Sequence, residues 1–83
     1  MYVAVIHSIS HPEEFWRAAE QGEFPEGVNL HSSLPNTDGS RAVCLWEAES
    51  PDAVRDVVEG TVGEFSSNEY FEVNAQNAQG LPG

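Results

Sequence analysis

The chain has 83 residues, enough for one domain, because a chain this short buries only about 60 to 65% of the surface that it exposes when unfolded. Fourteen Asp and Glu residues face three arginines and no lysine, so the formal net charge is −11 at pH 7. This charge excludes nucleic-acid and membrane-surface roles, and the missing lysine excludes Schiff-base chemistry and the phosphate-binding P-loop. Such an acidic, soluble surface is typical of some high-GC or salt-adapted bacteria.

The single cysteine and the short apolar runs bear on location. Cys44 cannot form an internal disulfide, and no charged segment followed by a long apolar stretch opens the chain. The longest apolar run, residues 2–6, is far shorter than the roughly 20 residues of a membrane-spanning helix. We therefore expect a cytoplasmic protein without a membrane anchor.

The chain opens with a predicted strand and a predicted helix. Residues 2–9 are rich in β-branched and aromatic side chains, which indicates a buried central strand. Ser10 and Glu13 have the spacing of a capping box, and Pro12 suits the first helical turn. A helix is therefore predicted over residues 11–22.

A hairpin follows. Residues 28–34 alternate apolar with polar side chains, which is typical of a half-buried strand. The Pro-Asn-Thr-Asp-Gly sequence of residues 35–39 is a strong turn signal, and residues 40–48 form the partner strand.

A second helix and a last strand complete the set. Ser50 and Pro51 repeat the combination of cap and proline, and the apolar stripe after them predicts a helix that ends near Gly60 or Gly63. Residues 68–75 are predicted to form the last strand.

The order βαββαβ predicts an α+β, ferredoxin-like domain over residues 1–75, with a four-stranded antiparallel sheet and two helices on one face. Residues 76–83 are predicted to form a tail that is flexible or wraps a partner. Val43 and Leu45 are expected to point toward the helices. The other face is open, and an exposed apolar face usually marks an interface, so a homodimer is predicted. On this open face we expect the side chains of Ala42, Cys44, Trp46, His31 and Val5.

The hairpin suggests a metal site. In an antiparallel pair with its turn in residues 35–39, His31 lies opposite Val43 or Cys44. His31 and Cys44 would then have Cβ atoms roughly 4.5 to 5.5 Å apart, and with His7 on the adjoining strand they could bind Ni, Cu or Zn. The alternative is that His31 is a hydrogen-bonded interface histidine and Cys44 a small buried hydrophobe.

A catalytic role is a further alternative. A histidine, Trp46, Tyr70 and Glu72 could furnish a general base beside an aromatic-lined pocket, with His31, Trp46 and Glu72 as the residues of an enzyme. The sequence contains no nucleophile elbow, phosphate loop or HExxH motif. Trp46 and Phe71 can equally be explained as core or interface packing.

The segment GVNLHSSLPNTDGSRAVCLWEAESPDAVRDVV, residues 27–58, combines a His-Ser pair, an Asp-Gly turn, a cysteine before an aromatic-Glu-Ala strand end, and a helix capped by Ser-Pro. It resembles DUF4242, a family of small bacterial ferredoxin-like proteins of unknown function. The matching residues are His31, Ser32, Asp38, Gly39, Cys44, Trp46, Glu47, Ala48, Ser50 and Pro51. A nickel-binding, nickel-responsive dimer is known in that family, so the resemblance implies a dimeric α+β barrel and supports a metal site. It covers somewhat less than half the chain, and His7 lies outside it.

Two functions follow as hypotheses. The leading one is a small cytoplasmic homodimer that binds a transition metal ion (Ni, Cu or Zn) or a small ligand at the open face of the sheet. The other is an enzyme of the dimeric α+β-barrel group, a cofactor-free monooxygenase or isomerase that acts on a hydrophobic aromatic or polyketide-like molecule. Fold analogy alone does not decide between them.

Overall fold

Four strands and two helices make up the chain in the computed structural model, which describes residues 1–82. In chain order they are β1 (Tyr2–Ile9), α1 (Pro12–Gln21), β2 (Asn29–Pro35), β3 (Arg41–Glu47), α2 (Pro51–Val62) and β4 (Ser66–Glu72). The strands form one antiparallel sheet in the order β2-β3-β1-β4. The predicted α+β, ferredoxin-like fold and the central position of β1 are confirmed.

The two faces of the sheet differ in burial. Val3 and Val5 on β1 are fully buried, and they pair with Trp46 and Cys44 on β3, which are buried as well. The helices pack on this face and complete the core with the side chains of Phe15, Val54, Val58 and Val62. Since side chains alternate along a strand, the intervening residues form the opposite, uncovered face.

The predicted alternation along β3 is correct, but its assignment to the two faces is wrong. Ala42, Cys44 and Trp46 lie in the core beneath the helices, whereas Val43, which we expected there, is 47% exposed. Val5, also expected on the open face, is buried in the same core. The pairing with β1 explains the inversion, because the Val3 and Val5 face of β1 is the one that the helices cover, and burying the Trp46 indole removes a large apolar area from water.

Strand β2 contains a bulge at His31. Leu30 pairs with Trp46 and Ser32 pairs with Leu45, so His31 is an extra residue in the ladder. An extra residue breaks the alternation of faces at that point. The expectation that His31 lies opposite Val43 or Cys44 is therefore wrong, and Ser33 takes the position opposite Cys44.

The start of α2 follows the prediction. Ser50 is the N-cap, and its hydroxyl oxygen accepts a hydrogen bond from the Ala53 backbone N–H at 3.2 Å. Pro51 occupies the first turn, and the helix ends at Val62 beside Gly63, the later of the two predicted ends.

The predicted capping box of α1 is wrong. His11 is the N-cap residue and makes no side-chain capping bond. The Ser10 hydroxyl instead donates to the Phe65 carbonyl at 3.0 Å, next to a backbone bond from Ser10 N–H to the same oxygen. The connection that leads into β4 thus engages Ser10. Strand β4 begins at Ser66, two residues before the predicted start.

The segment after β4 turns back toward the start of the chain. Backbone N–H groups of Asn77 and Ala78 donate to the Asn74 carbonyl, and the Tyr2 hydroxyl donates to the Pro82 carbonyl at 3.0 Å. The last residue of the predicted tail, Gly83, lies outside the described residues. Among residues 1–82 no helix has the length and apolar character needed to cross a bilayer.

The Ser50 cap can be tested by substitution. Ser50→Ala removes the acceptor for the Ala53 N–H, and we expect it to lower the free energy of unfolding by about 1 kcal/mol. Ser8→Ala is the control, because Ser8 is exposed on a strand and caps no helix; its change should stay within about 0.5 kcal/mol. Urea unfolding followed by circular dichroism measures both, and equal effects would contradict the assigned cap.

Candidate functional site

A cavity of about 60 Å³ lies between the sheet and the two helices. Its wall is mostly apolar, with a few polar groups from the strands. The sheet contributes His7, Leu30, Ser33, Cys44 and Trp46, and the helices and the loop after α1 contribute Phe15, Trp16, Ala19, Phe24, Val57, Val58, Thr61 and Val62. A concave, mostly apolar wall with few polar groups is the usual form of a small-molecule site.

Strand alternation places His7 in this cavity. His7 follows Val3 and Val5 at the two-residue period of β1, so it shares their helix-covered face. Only 2% of its surface is exposed. The edge of the Phe15 ring packs against the imidazole, with ring centroids 5.2 Å apart. The residue that the sequence predicts as a metal ligand is thus part of the core.

A chain of hydrogen bonds fixes the His7 ring. Nδ1 of His7 lies 2.6 Å from Oδ1 of Asn68, and Nδ2 of Asn68 donates to Oε2 of Glu59 at 2.9 Å. The Tyr70 hydroxyl donates to the same Glu59 oxygen. Because a carboxylate only accepts, the amide nitrogen of Asn68 must face Glu59 and its oxygen must face His7. Nδ1 of His7 therefore carries a proton and donates to Asn68.

The electrostatics keep His7 neutral and Glu59 charged. Burial lowers the pKa of His7, against the smaller, opposing effects of the Asn68 hydrogen bond and the Glu59 charge. Hydrogen bonds from Tyr70 and Asn68 lower the pKa of Glu59, and nearby Arg55 acts in the same direction. Burial, together with the Glu59 carboxylate, raises the pKa of Tyr70. At neutral pH the cavity therefore presents an uncharged imidazole.

Trp46 carries an unpaired polar atom. Its indole N–H is buried and has no acceptor among residues 1–82, although buried polar groups in proteins nearly always have a partner. Phe24 packs edge-on against the Trp46 ring, with centroids 5.0 Å apart. A ligand with an oxygen acceptor could satisfy this N–H.

Cys44 is a protonated thiol in this cavity. It is buried, its Sγ donates to the Ser33 hydroxyl at 3.6 Å, and burial raises its pKa. The thiolate is the form that attacks electrophiles and binds metals. A raised pKa therefore makes Cys44 a weak nucleophile at neutral pH.

The structure does not bring the three predicted metal ligands together. His7 and Cys44 lie on the helix-covered face, and His31 lies at the bulge with its Nε2 2.9 Å from Oε1 of Glu47. The ring of Tyr2 lies 5.8 Å from that of His31. Within residues 1–82 no group of three or more His, Cys, Asp or Glu side chains could hold a metal ion. Binding of a transition metal, nickel included, stays a prediction.

Of the three residues of the catalytic alternative, only Trp46 lines the cavity. Trp46 lies in the cavity wall, His31 bonds Glu47 away from the cavity, and Glu72 is exposed at the end of β4 beside a wide groove. Asn68 and Glu59 were not among the site residues predicted from the sequence. The alternation of β4 could have indicated Asn68, because it pairs with His7 and shares a face with Tyr70.

The chain matches no family model, no curated protein and no solved structure. The resemblance of residues 27–58 to DUF4242 stays a prediction, and so does the dimeric barrel that it implies. The cavity, with its fixed and neutral His7, is the feature on which a functional argument can be built.

Acid should destabilise the fold through His7. Its folded pKa lies below the ordinary 6.5, so just below pH 6.5 the unfolded chain binds a proton that the folded chain does not. The free energy of unfolding should therefore fall as the pH decreases from 7.5 to 5. The lowered pKa of Glu59 begins to affect stability about one pH unit above its ordinary 4.5, near the acid end of this range.

Urea unfolding of His7→Gln at the same pH values should show a flatter pH dependence than wild type. His11→Gln is the matched control because His11 is exposed, and it should retain the wild-type slope. An equal slope in wild type and His7→Gln would contradict the assignment.

Proposed function

We propose that the protein binds a small, largely apolar molecule in the cavity between its sheet and helices. The observation that carries the proposal is a buried, neutral His7 held in one orientation within an apolar wall. The hydrogen-bond chain through Asn68 to Glu59 holds the imidazole in one orientation and one tautomer. Ligand binding also explains the unpaired N–H of Trp46.

The cavity must widen before it can take an aromatic ring. Its volume of about 60 Å³ is less than half of the roughly 150 Å³ of an apolar cavity that binds benzene. An aromatic ring therefore needs more room than the closed cavity gives. The ring of Phe24, which covers Trp46, is the side chain best placed to make that room.

Phe24 has the properties of a movable cover. It belongs to the segment between α1 and β2, outside both elements, and 39% of its surface is exposed. Its main aromatic neighbour is Trp46. When Phe24 turns outward, a ligand ring can replace it against the Trp46 indole, so one aromatic contact is exchanged for another.

The catalytic alternative would use the same cavity. The wall offers a neutral imidazole that could act as a base, and aromatic rings that suit a hydrophobic aromatic substrate. The base would then be His7 rather than His31. Binding is the function proposed here because the described contacts supply a recognition site without a complete set of reacting groups.

We further propose that two copies of the chain associate through the open face of the sheet, the surface formed by Ile6, Leu34, Val43, Leu45 and Phe71. Leu34, Val43 and Phe71 are 64%, 47% and 49% exposed. Helices cover only the other face, so these apolar side chains meet water in a single chain. A standard interface buries roughly 800 Å² per partner, a size that suits one face of a small sheet.

The charges at the ends of β3 favour a second copy as the occupant. Arg17 and Arg55 pair with carboxylates of their own helices, whereas Arg41 has no ion pair within residues 1–82. Arg41 and Glu47 lie at opposite ends of β3 on the open face. A two-fold axis across the middle of β3 would bring each Arg41 over Glu47 of the partner subunit, which makes the face self-complementary.

Binding in the cavity can be tested with toluene and indole. Titration followed by ¹H–¹⁵N NMR should shift the signals of cavity residues and leave the open face unchanged. Ala19→Leu enlarges a side chain of the cavity wall and should weaken binding about tenfold or more, equivalent to about 1.4 kcal/mol. Ala18→Leu is the matched control because Ala18 is the neighbouring residue and does not line the cavity. Absence of binding to wild type and to Phe24→Ala, which opens the mouth, would refute the proposal.

The dimer can be tested by sedimentation at micromolar concentration. Wild type should sediment near twice the chain mass, and Val43→Glu should shift the equilibrium toward monomer because it places a carboxylate in the apolar interface. Gln21→Glu adds the same charge at an exposed position of α1 and should remain dimeric. A wild-type monomer, or equal behaviour of the two variants, would contradict the interface.

A further inference from the structure

We infer that Nε2 of His7 is the atom that recognises the ligand, and that the cavity therefore selects a neutral aromatic molecule with a hydroxyl group that donates a hydrogen bond. The inference rests on the proposed function and specifies its ligand class. It assigns Asn68 and Glu59 as positioning residues, which act on the ligand through His7.

The hydrogen bonds of Asn68 determine which nitrogen of the neutral His7 ring carries the proton. Because Nδ2 of Asn68 donates to Glu59, its Oδ1 faces His7 and can only accept. The Ser66 hydroxyl lies 2.9 Å from the same oxygen and 3.2 Å from the Val62 carbonyl. His7 must then use Nδ1 as its donor. In a neutral imidazole the other nitrogen, Nε2, has a lone pair and accepts. The chain from Glu59 thereby determines what His7 can offer to a ligand.

The position of the His7 ring indicates which way its Nε2 atom faces. His7 lines the cavity and Asn68 does not, so the ring edge that faces Asn68 points out of the cavity. Nε2 is on the opposite part of the ring, and the hydrogen bonds of residues 1–82 include no partner for it. Nε2 is not one of the fully buried unpaired side-chain atoms of residues 1–82, a class that contains only Nε1 of Trp46. It therefore keeps some access to solvent, and a donating ligand can replace water there.

The lining of the cavity does not suit a charged ligand. A carboxylate would find no arginine or lysine in the cavity wall, and it would approach the negative charge of Glu59 behind His7. A cation would find no carboxylate among the lining residues, and its desolvation would stay uncompensated. A hydrocarbon fits the apolar wall but leaves Nε2 unpaired. The remaining ligand is neutral and carries a donor. The aromatic side chains of the wall, Phe15, Trp16, Phe24 and Trp46, favour a ring as its apolar part.

The groups around His7 agree with a neutral acceptor. The charge of Glu59 acts on His7 from α2, and Cys44 lies on β3 in the same cavity wall. Arg55 on α2 and Tyr70 on β4 lie next to Glu59. Glu59 is engaged by Tyr70 and Asn68, and Arg55 lies over the Tyr70 ring with its guanidinium carbon 5.0 Å from the centroid. The charged groups of Glu59 and Arg55 therefore have their partners outside the cavity.

The test compares phenol with toluene, two ligands of the same size that differ in the donor. Wild type should bind phenol about tenfold more tightly, as expected for one neutral hydrogen bond, and should bind benzoate no better than toluene. His7→Phe retains a ring but lacks the acceptor, and it should lose the preference for phenol. His11→Phe makes the same exchange at an exposed histidine outside the cavity wall and should keep the preference.

A second measurement needs no ligand. The ¹⁵N shifts of the His7 ring in the free wild-type protein should show a protonated Nδ1 and an unprotonated Nε2, and Asn68→Leu should abolish this bias. A proton on Nε2 in wild type would overturn the inference. Equal binding of phenol and toluene would overturn it while leaving the proposed function intact, and absence of binding by either compound would overturn both.

Discussion

The pairing of β1 with β3 is the constraint on which the rest of the structure depends. Val5 lies opposite Cys44 and Val3 opposite Trp46, so one register decides which side chains of both central strands meet the helices. A shift of one residue would exchange the two faces. The same register places His7 in line with Asn68, because β1 also pairs with β4. Core, cavity and hydrogen-bond chain therefore share one origin.

The elements could be predicted from the sequence because each has a local cause. Apolar runs, a Ser50 cap and a glycine-containing turn act within a few residues of one another. The predicted boundaries lie within two residues of those observed, except for the end of β4, which was predicted three residues too late. The face of β3 could not be predicted in the same way. Both faces of β3 carry apolar residues, such as Val43 on one and Cys44 on the other. Only the long-range pairing with β1 therefore decides which face the helices cover.

The candidate site could be predicted from the sequence even less completely than the faces of the sheet. The sequence identifies His7, Cys44 and Trp46 as residues of interest, and the cavity contains all three. It does not reveal that His31 is separated from them, because an extra residue in a ladder leaves no pattern that alternation rules detect. Nor does it reveal the role of Glu59, whose contact with Asn68 joins a helix to a strand.

The bulge in β2 has a consequence for how this hairpin can vary. Without His31, Leu30 and Ser32 would follow one another with their present partners, and the alternation would run unbroken from one end of the strand to the other. Position 31 is thus a place where the chain can lose or gain a residue while both flanks keep their register. Its side chain is free of the ladder, so the identity of this residue can change independently of the core.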